Sequence, residues 1–309
     1  MNELPKHHYI PVFYLREWAN DRGRLVEFSR PTGAHVAARP CGPKGTGYVR
    51  GLYRLHATDE ERAEAFERYF FQFVDNQAKD ALDMLLRRKP ERWNDKTRSA
   101  WTRFLMGMIF RNPERIEAVR VYAEQVALDH MDEAVVEYLT NNKDDSGFLD
   151  ALQAAVVFNA VQWTQTTMNS QNIGNHILNM RWKTRDITQT GLTFFTSDRP
   201  LIMTNGMTHE HSHLAIPISP TMLFLAFNTS SVEDRIMSMS QMELLSATNS
   251  TVLKYAKRYA WNTDDRQINK AKRWLSVESD QIEDYFLHAP RAALAELKAK
   301  QLIGRNGVA

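Results

Sequence analysis

The chain has 309 residues, 43% hydrophobic and 25% charged, with a formal net charge of +2. That length suits one large domain or two interlocked ones, and the near-neutral charge leaves any nucleic-acid partner to a local basic patch. One cysteine, Cys41, excludes an intramolecular disulfide and a cysteine-rich metal site and fits a reducing cytoplasm. The opening "MNELPKHHYIP" lacks the basic and apolar regions of a signal peptide. No apolar run approaches the roughly 18 residues that span a bilayer. The expectation is a soluble intracellular protein without a membrane partner, and no internal repeat or low-complexity segment stands out.

Along the chain, "VFYLREWA" places Phe13, Tyr14 and Trp18 at helical spacing, and "NDRG" ends that turn. "RLVEFSR" and "AHVAAR", separated by Pro31 to Gly33, predict a β-hairpin. "CGPKGTG" is an ordinary loop, since no Lys-Ser/Thr pair follows its closing glycine. From about 59 to 178 the pattern is helical. Thr58 and Glu61 form a capping box, and Phe66, Phe70, Phe73, Gln77, Ala81 and Met84 are assigned to one face of a helix ending at Lys89-Pro90. Asn94 or Asp95 caps a second helix, Pro113 opens a third, and a fourth covers about 146 to 178. Then "TFFTSD", "LIMTN", "LAIPIS" and "MLFLAF" read as strands, and helix returns from about 238. This order predicts an α+β fold, with an N-terminal helix and hairpin (1–58), a helical bundle (59–178), and a mostly antiparallel sheet with C-terminal helices (179–309), interlocked as one domain.

Read together, "HHYIPVFYLREWA", "LYRL", "FRNPER" and "FFTSDRPL" before "PISP" resemble a bacterial family catalogued as domain of unknown function 4238. The likeness runs from Lys6 to about Trp261. It implies that His8, Pro11, Leu15, Tyr53, Arg111, Pro113, Ser197, Asp198 and Pro200 occupy recurring family positions. Asp75 stands where the family's helix is expected to carry a glutamate, one methylene longer. The resemblance brings no established activity. It carries only an associational link to defence or mobile-element loci.

Several residues invite chemistry, each beside a plainer role. His7 and His8 ahead of Pro11 look like the opening of an HNH nuclease, with Asn20 and His35 as further elements. The helix expected right after them conflicts with that motif, and His8 can instead be a buried, hydrogen-bonded histidine. Asp198 at a strand end is well placed for catalysis or metal, or can cap the backbone of "RPL" in an Asx-turn. Asp75 needs a buried partner, which Arg111 can supply bidentately, while Arg111 also suits a helix C-terminus. His209, His211 and His213 would share one face if "THEHSHL" were a strand, within reach of a divalent ion, but the stretch looks like a loop. "TVLKYAKRYAW" reads as a basic helix, with Lys254, Lys257 and Arg258 among Tyr255, Tyr259 and Trp261, able to track nucleic acid or simply to pack and be solvated.

The expectation is one polar cluster of His8, Asp75, Arg111 and Asp198 beneath an N-terminal anchor. As an enzyme this would be a hydrolase, in the sharpest form a metal-assisted nuclease or phosphoesterase. His8 would be base or ligand, the carboxylates would hold a divalent metal, and Arg111 would stabilise negative charge. The alternative is a non-catalytic binding or scaffold protein in which the cluster is a satisfied buried network.

Overall fold

A computed structural model describes residues 4–52, 71–87, 93–129 and 169–278, with isolated positions between 137 and 166. Tyr53, the Thr58–Glu61 capping box, Phe66, Phe70, Lys89-Pro90 and nearly all of 146–168 lie outside the described residues. The architecture is α+β. In chain order it runs β1 (Lys6–His8), α1 (Val12–Leu15), β2 (Leu25–Thr32), β3 (His35–Cys41), β4 (Tyr48–Arg50), α2 (Gln72–Leu86), α3 (Asp95–Phe110), α4 (Pro113–Asp129) and α5 (Gln171–Asn179). It continues with β5 (Arg181–Asp186), β6 (Thr196–Ser197), β7 (Ile202–Met203), β8 (His213–Pro217), β9 (Met222–Phe227), α6 (Ser230–Met237), α7 (Gln241–Tyr255), β10 (Tyr259–Asn262) and α8 (Ile268–Trp274). Among the described residues no helix is long and apolar enough to cross a membrane.

All strand pairing is antiparallel. β1 pairs with β4, a second sheet has the order β3-β2-β10-β6, and a third β5-β9-β8-β7. The hairpin β2–β3 forms where the alternation and the Pro31–Gly33 turn place it. Its inner edge is covered by β10, which lies some 230 residues later, so the first and third segments share one sheet. That strand corrects the helical reading of "TVLKYAKRYAW". α7 stops at Tyr255, Ala256 turns to extended backbone with ψ 132°, and Tyr259–Asn262 becomes a central strand with residues 260–262 buried. The pull is tertiary, because a sheet position satisfies both backbone edges of this segment. β5, "RWKTRD", was not expected as a strand. It forms because β9, whose every residue is buried, needs a partner on that side.

α2 also turns differently from its expected face. Val74, Ala78, Ala81, Leu82 and Leu85 point inward, and Phe73 is exposed. Those buried positions follow the i, i+4, i+7, i+8 spacing of a single apolar stripe. α3 is capped by Asn94, whose side chain accepts from Thr97 N, and Pro113 opens α4.

The N-terminal arm is locked into the core. Tyr9, Ile10, Tyr14, Leu15 and Trp18 are all buried. They join Trp101 and Phe104 of α3, Ile216 and Phe224 of the third sheet, and Trp261 of β10 in one cluster. The Tyr14 hydroxyl lies 2.7 Å from both Thr196 Oγ1 and the Pro217 carbonyl, and Trp18 Nε1 donates to the Phe194 carbonyl at 2.9 Å. Each large side chain removed from water contributes about 1.5–3 kcal/mol. These polar tips also fix the arm's register, since a buried hydroxyl or indole N–H must find a partner.

The "CGPKGTG" loop clamps the same arm. Gly47 has φ +66°, its carbonyl accepts from Ile10 N at 3.1 Å, and an added Cβ would stand 3.1 Å from Ile10 Cβ and 3.2 Å from Leu15. Only glycine fits there. Thr46 Oγ1 donates to the buried carboxylate of Glu27, receives Trp261 Nε1 at 3.0 Å, and so ties the loop to the second sheet.

A candidate oxyanion site at His8 and Arg111

Arg111 is the C-cap of α3, its backbone N–H bonded to the Gly107 carbonyl, but its side chain turns inward and is 1% exposed. Asp75, on the first turn of α2, meets it through one contact, Nη1 to Oδ1 at 2.9 Å. The sequence suggested a bidentate pair, and a single arm is what forms. Nη2 reaches only Met108 Sδ, at 3.5 Å, and Nε is buried without a hydrogen bond. The guanidinium carbon lies 5.7 Å from the Phe71 ring centre and 5.9 Å from that of Phe104, within cation–π range of both.

Asp75 is 24% exposed, yet burial raises its carboxyl above the ordinary range, with Arg111 pulling the other way. Asp75 is thus partly desolvated while solvent still reaches it.

His8 ends β1 beside Tyr48, ring centroids 5.5 Å apart. Burial lowers its pKa, an interaction of the ring N–H with the Lys44 backbone carbonyl in the 42–47 loop opposes that, and the charges of Lys6 and Arg111 lower it further. Nε2 is buried without a partner, so the Lys44 contact falls to Nδ1. The neutral ring therefore presents a bare Nε2 lone pair.

The Asp198 carboxylate is bonded to backbone. It accepts three N–H groups, from Lys257 at 2.8 Å, Arg258 at 2.6 Å and Tyr259 at 3.0 Å, and the residue's own N–H donates to the Tyr259 carbonyl at 2.9 Å. The Asx-turn expected over "RPL" is replaced by a clasp across 60 residues, while Ser197 Oγ takes the local turn by accepting Arg199 N. Burial lifts Asp198 to about 6 against those three donors, with Glu114 adding to the rise.

Residues the sequence reading passed over complete the surroundings. Glu114 stands 3.7 Å from Arg199 Nη2 and 3.6 Å from Arg258 Nε, and the Tyr9 hydroxyl is pushed well up by burial, Asp198 and Glu114. Glu114 and Arg199 lie inside "FRNPER" and "TSDRPL", so the signal was their position in the same short motifs. His8 and Tyr9 are neighbours in β1 and just after it, as Arg111 and Glu114 are neighbours around the start of α4. The charge of Arg111 is felt at His8 and that of Glu114 at Tyr9.

The remaining candidates disperse. His209 and His211 are exposed in the turn before β8, where His209 Nδ1 accepts His211 N at 3.1 Å. His213, on β8, pairs through Nδ1 with Thr204 Oγ1 at 3.0 Å, and burial lowers its pKa to about 4. Asn20, proposed as part of a nuclease motif, uses its carboxamide oxygen to close its own turn onto Arg22 N and Arg24 N. His35 is exposed on β3. Lys254 pairs with Glu278 at 2.8 Å and lies over Trp274. Among the described residues no three His, Cys, Asp or Glu come together as a metal site.

The class this fold defines is an α+β protein with a buried, half-paired arginine in its helical part. A family model matches residues 6–280, and the chain belongs to that family, described as "Protein of unknown function (DUF4238)". Neither curated proteins nor solved structures gave a match.

Proposed function

We propose that this protein is a hydrolase of anionic esters, phosphoesters first among them, with its chemistry at His8, Asp75 and Arg111. One observation carries the reading. His8 Nε2 and Arg111 Nε are both buried and both without a hydrogen-bond partner. More than about 90% of buried polar groups in folded proteins are paired. Indole, hydroxyl and amide groups are orphaned here as well, and these two nitrogens are singled out because an imidazole acceptor and a cationic donor are the kinds of group a hydrolytic site uses.

The roles follow from the chemistry. His8, neutral at pH 7, accepts a proton from an attacking water at Nε2 while Lys44 holds the ring from Nδ1. Arg111 donates to the oxygen on which negative charge grows. Asp75 fixes the guanidinium through Nη1 and leaves its other donors available. The water oxygen bonds to the acyl or phosphoryl centre, the ester oxygen departs, and the proton held on His8 returns to it. A divalent metal and a nucleic-acid substrate remain extensions of this proposal, as do a cytoplasmic, bacterial and defence-related setting. The cytoplasmic part is supported by the lone buried thiol of Cys41.

The competing reading is a non-catalytic binding or scaffold protein. Asp198 favours it, because that residue is wholly consumed by the backbone of 257–259. The two readings separate in a turnover screen of the full chain against nitrophenyl phosphates, oligonucleotides and neutral esters, with and without divalent cations. His8→Gln is expected to lower turnover by about 10²–10⁴-fold, the usual range for a general base. No turnover across the panel, or a His8→Gln variant as active as wild type, overturns the hydrolase reading.

A further inference from the structure

Charge is unevenly placed along this chain. Residues 254–278 carry seven Lys and Arg against three Asp and Glu, so 25 residues hold a charge of +4 in a chain whose total is +2. Two of those cations are engaged elsewhere. Arg258 leans toward Glu114 at 3.6 Å, and Arg266 pairs with Asp264 at 2.8 Å.

Others gather where α7 ends and α8 packs. Ile268, Ala271 and Leu275 turn toward the core at the i, i+3, i+7 spacing of one helical face, which leaves Lys272 and Arg273 exposed. The half-buried Trp274 ring carries two cations, Lys254 Nζ at 4.9 Å and the Arg273 guanidinium at 4.7 Å from its centre. Past α8 the chain runs back along α7, where Glu278 N donates to the Lys254 carbonyl at 3.0 Å and the Glu278 carboxylate meets Lys254 Nζ at 2.8 Å. Arg30 reaches over from β2. Its Nε and Nη2 donate to the carbonyls of Leu275 and Lys272 at 2.8 and 2.7 Å, and Nη1 donates to that of Ala34 at 2.7 Å. Carbonyls satisfy these donors without cancelling the charge.

Four cations therefore surround one indole, and among the described residues Glu278 is the one carboxylate paired with any of them. The C-terminus of α8 supplies about half a negative charge, well short of balance. Like charges held together in this way repel, and a polyanion laid across them relieves the repulsion. We infer that Arg30, Lys254, Lys272 and Arg273, grouped around Trp274, form a surface that binds single-stranded nucleic acid along its phosphate backbone. Lys254, Lys272 and Arg273 make the phosphate contacts, while Arg30, its donors already used, contributes only its field. The open part of the half-buried indole takes an unpaired base, which a duplex keeps inside its own stack. The inference stands on this surface alone and does not depend on His8 or on the hydrolase reading.

The test is fluorescence anisotropy of a labelled, mixed-sequence DNA strand of about 20 nucleotides with the full chain, between about 50 and 200 mM sodium chloride. Log affinity is expected to fall against log salt with a slope of about −2, from three phosphate contacts at about 0.7 each. The duplex of the same sequence, and polyglutamate of similar length, are expected to bind at least about tenfold more weakly at the lower salt. Lys272→Gln combined with Arg273→Gln is expected to lower strand affinity at least about tenfold there and to flatten the slope by about 1.4. Lys272→Arg with Arg273→Lys keeps both charges and is expected to bind as the wild type does. Arg235→Gln, exposed on α6, is the control and leaves affinity unchanged. No strand binding at the lower salt, a slope near zero, or equal binding of duplex or polyglutamate each overturns the inference, and none of these needs a variant. An unaffected Gln double variant overturns it as well. Strand binding with no turnover of any ester leaves this inference standing while the hydrolase reading falls. Turnover without strand binding does the reverse.

Discussion

Asp198 and Asp75 are two carboxylates raised by burial in one protein, and they do opposite work. Asp198 is 4% exposed, and its two oxygens take three backbone donors. Three backbone donors converge on it, so the residue splices the end of β6 to the entrance of β10. Asp75 is 24% exposed, makes one contact, and its partner keeps a buried Nε–H without an acceptor. A raised carboxyl therefore does not mark a reactive site by itself. What separates the two is the count of donors left over after folding: none of the three that meet Asp198, but the Nε–H of the arginine that meets Asp75.

The largest effect is expected from the buried N-terminal arm, whose His8 feels the charge of Arg111 and whose Tyr9 feels that of Asp198. Deleting residues 1–15 removes Tyr14 and Leu15 from the core and β1 from β4, and is expected to abolish cooperative unfolding in a thermal or denaturant melt. A truncated chain that melts as sharply as the full one removes the anchor from the account.

Next is Asp198→Asn. The amide turns an accepting oxygen into a donating NH₂ opposite a backbone N–H, a loss of about 2–3 kcal/mol in denaturant unfolding at pH 7.5. A cost under about 0.5 kcal/mol, the scale of ordinary surface substitutions, breaks the claim that Asp198 is a clasp.

The pH dependence sharpens the same point. The native Asp198 carboxyl titrates at about 6 against an ordinary 3.8. The folded state therefore binds this proton more tightly than the unfolded chain does. That contribution is fully present below the unfolded value and fades as pH rises through about 6. The gap between wild type and Asp198→Asn should widen by about 2 kcal/mol between pH 7.5 and pH 4.5. A gap that stays flat or narrows contradicts it. Taking the difference is necessary, since His213, lowered to about 4, drives wild-type stability the other way over the same interval.

Asp75→Asn is expected to cost less, about 1 kcal/mol or under, because the amide oxygen still accepts from Nη1 and solvent reaches the site. A loss as large as that of Asp198→Asn, with strong non-additivity in the double variant, makes the two regions one sealed network and ends the distinction. Smallest of all is the loop. His209→Ala and His211→Ala are expected to change stability by no more than about 0.5 kcal/mol and to leave the metal content of tag-free protein unaltered, as mass spectrometry of the purified chain would show.

Much of the fold could be read locally. The hairpin was legible because alternation and a Pro–Gly turn act within ten residues, the Asn94 cap and the Pro113 start because they act within one helical turn. The buried arm was legible because no exposed tail would carry Tyr14, Leu15 and Trp18 together. Arg111 with Asp75 was legible in part, since a charge at the edge of a broad apolar arc needs a partner.

The failures share one cause. Tyr259–Asn262 has no local reason to leave a helix, and does so because β2 and β6 offer it two edges. Asp198 satisfies backbone 60 residues away, where its neighbours "RPL" were the only acceptors' partners visible in sequence. Phe73 and Val74 exchange inside and outside because adjacent positions on a helix differ by only about 100° and packing chooses between them. The sequence by itself determined which segments must be buried, where chains turn, and which polar residues would need partners, since those follow from side-chain chemistry over a few residues. Which partner each polar group found, and which buried nitrogens, His8 Nε2 and Arg111 Nε among them, were left without one, was decided only by tertiary structure, because hydrogen bonding is settled at about 3 Å between atoms whose separation along the chain carries no information.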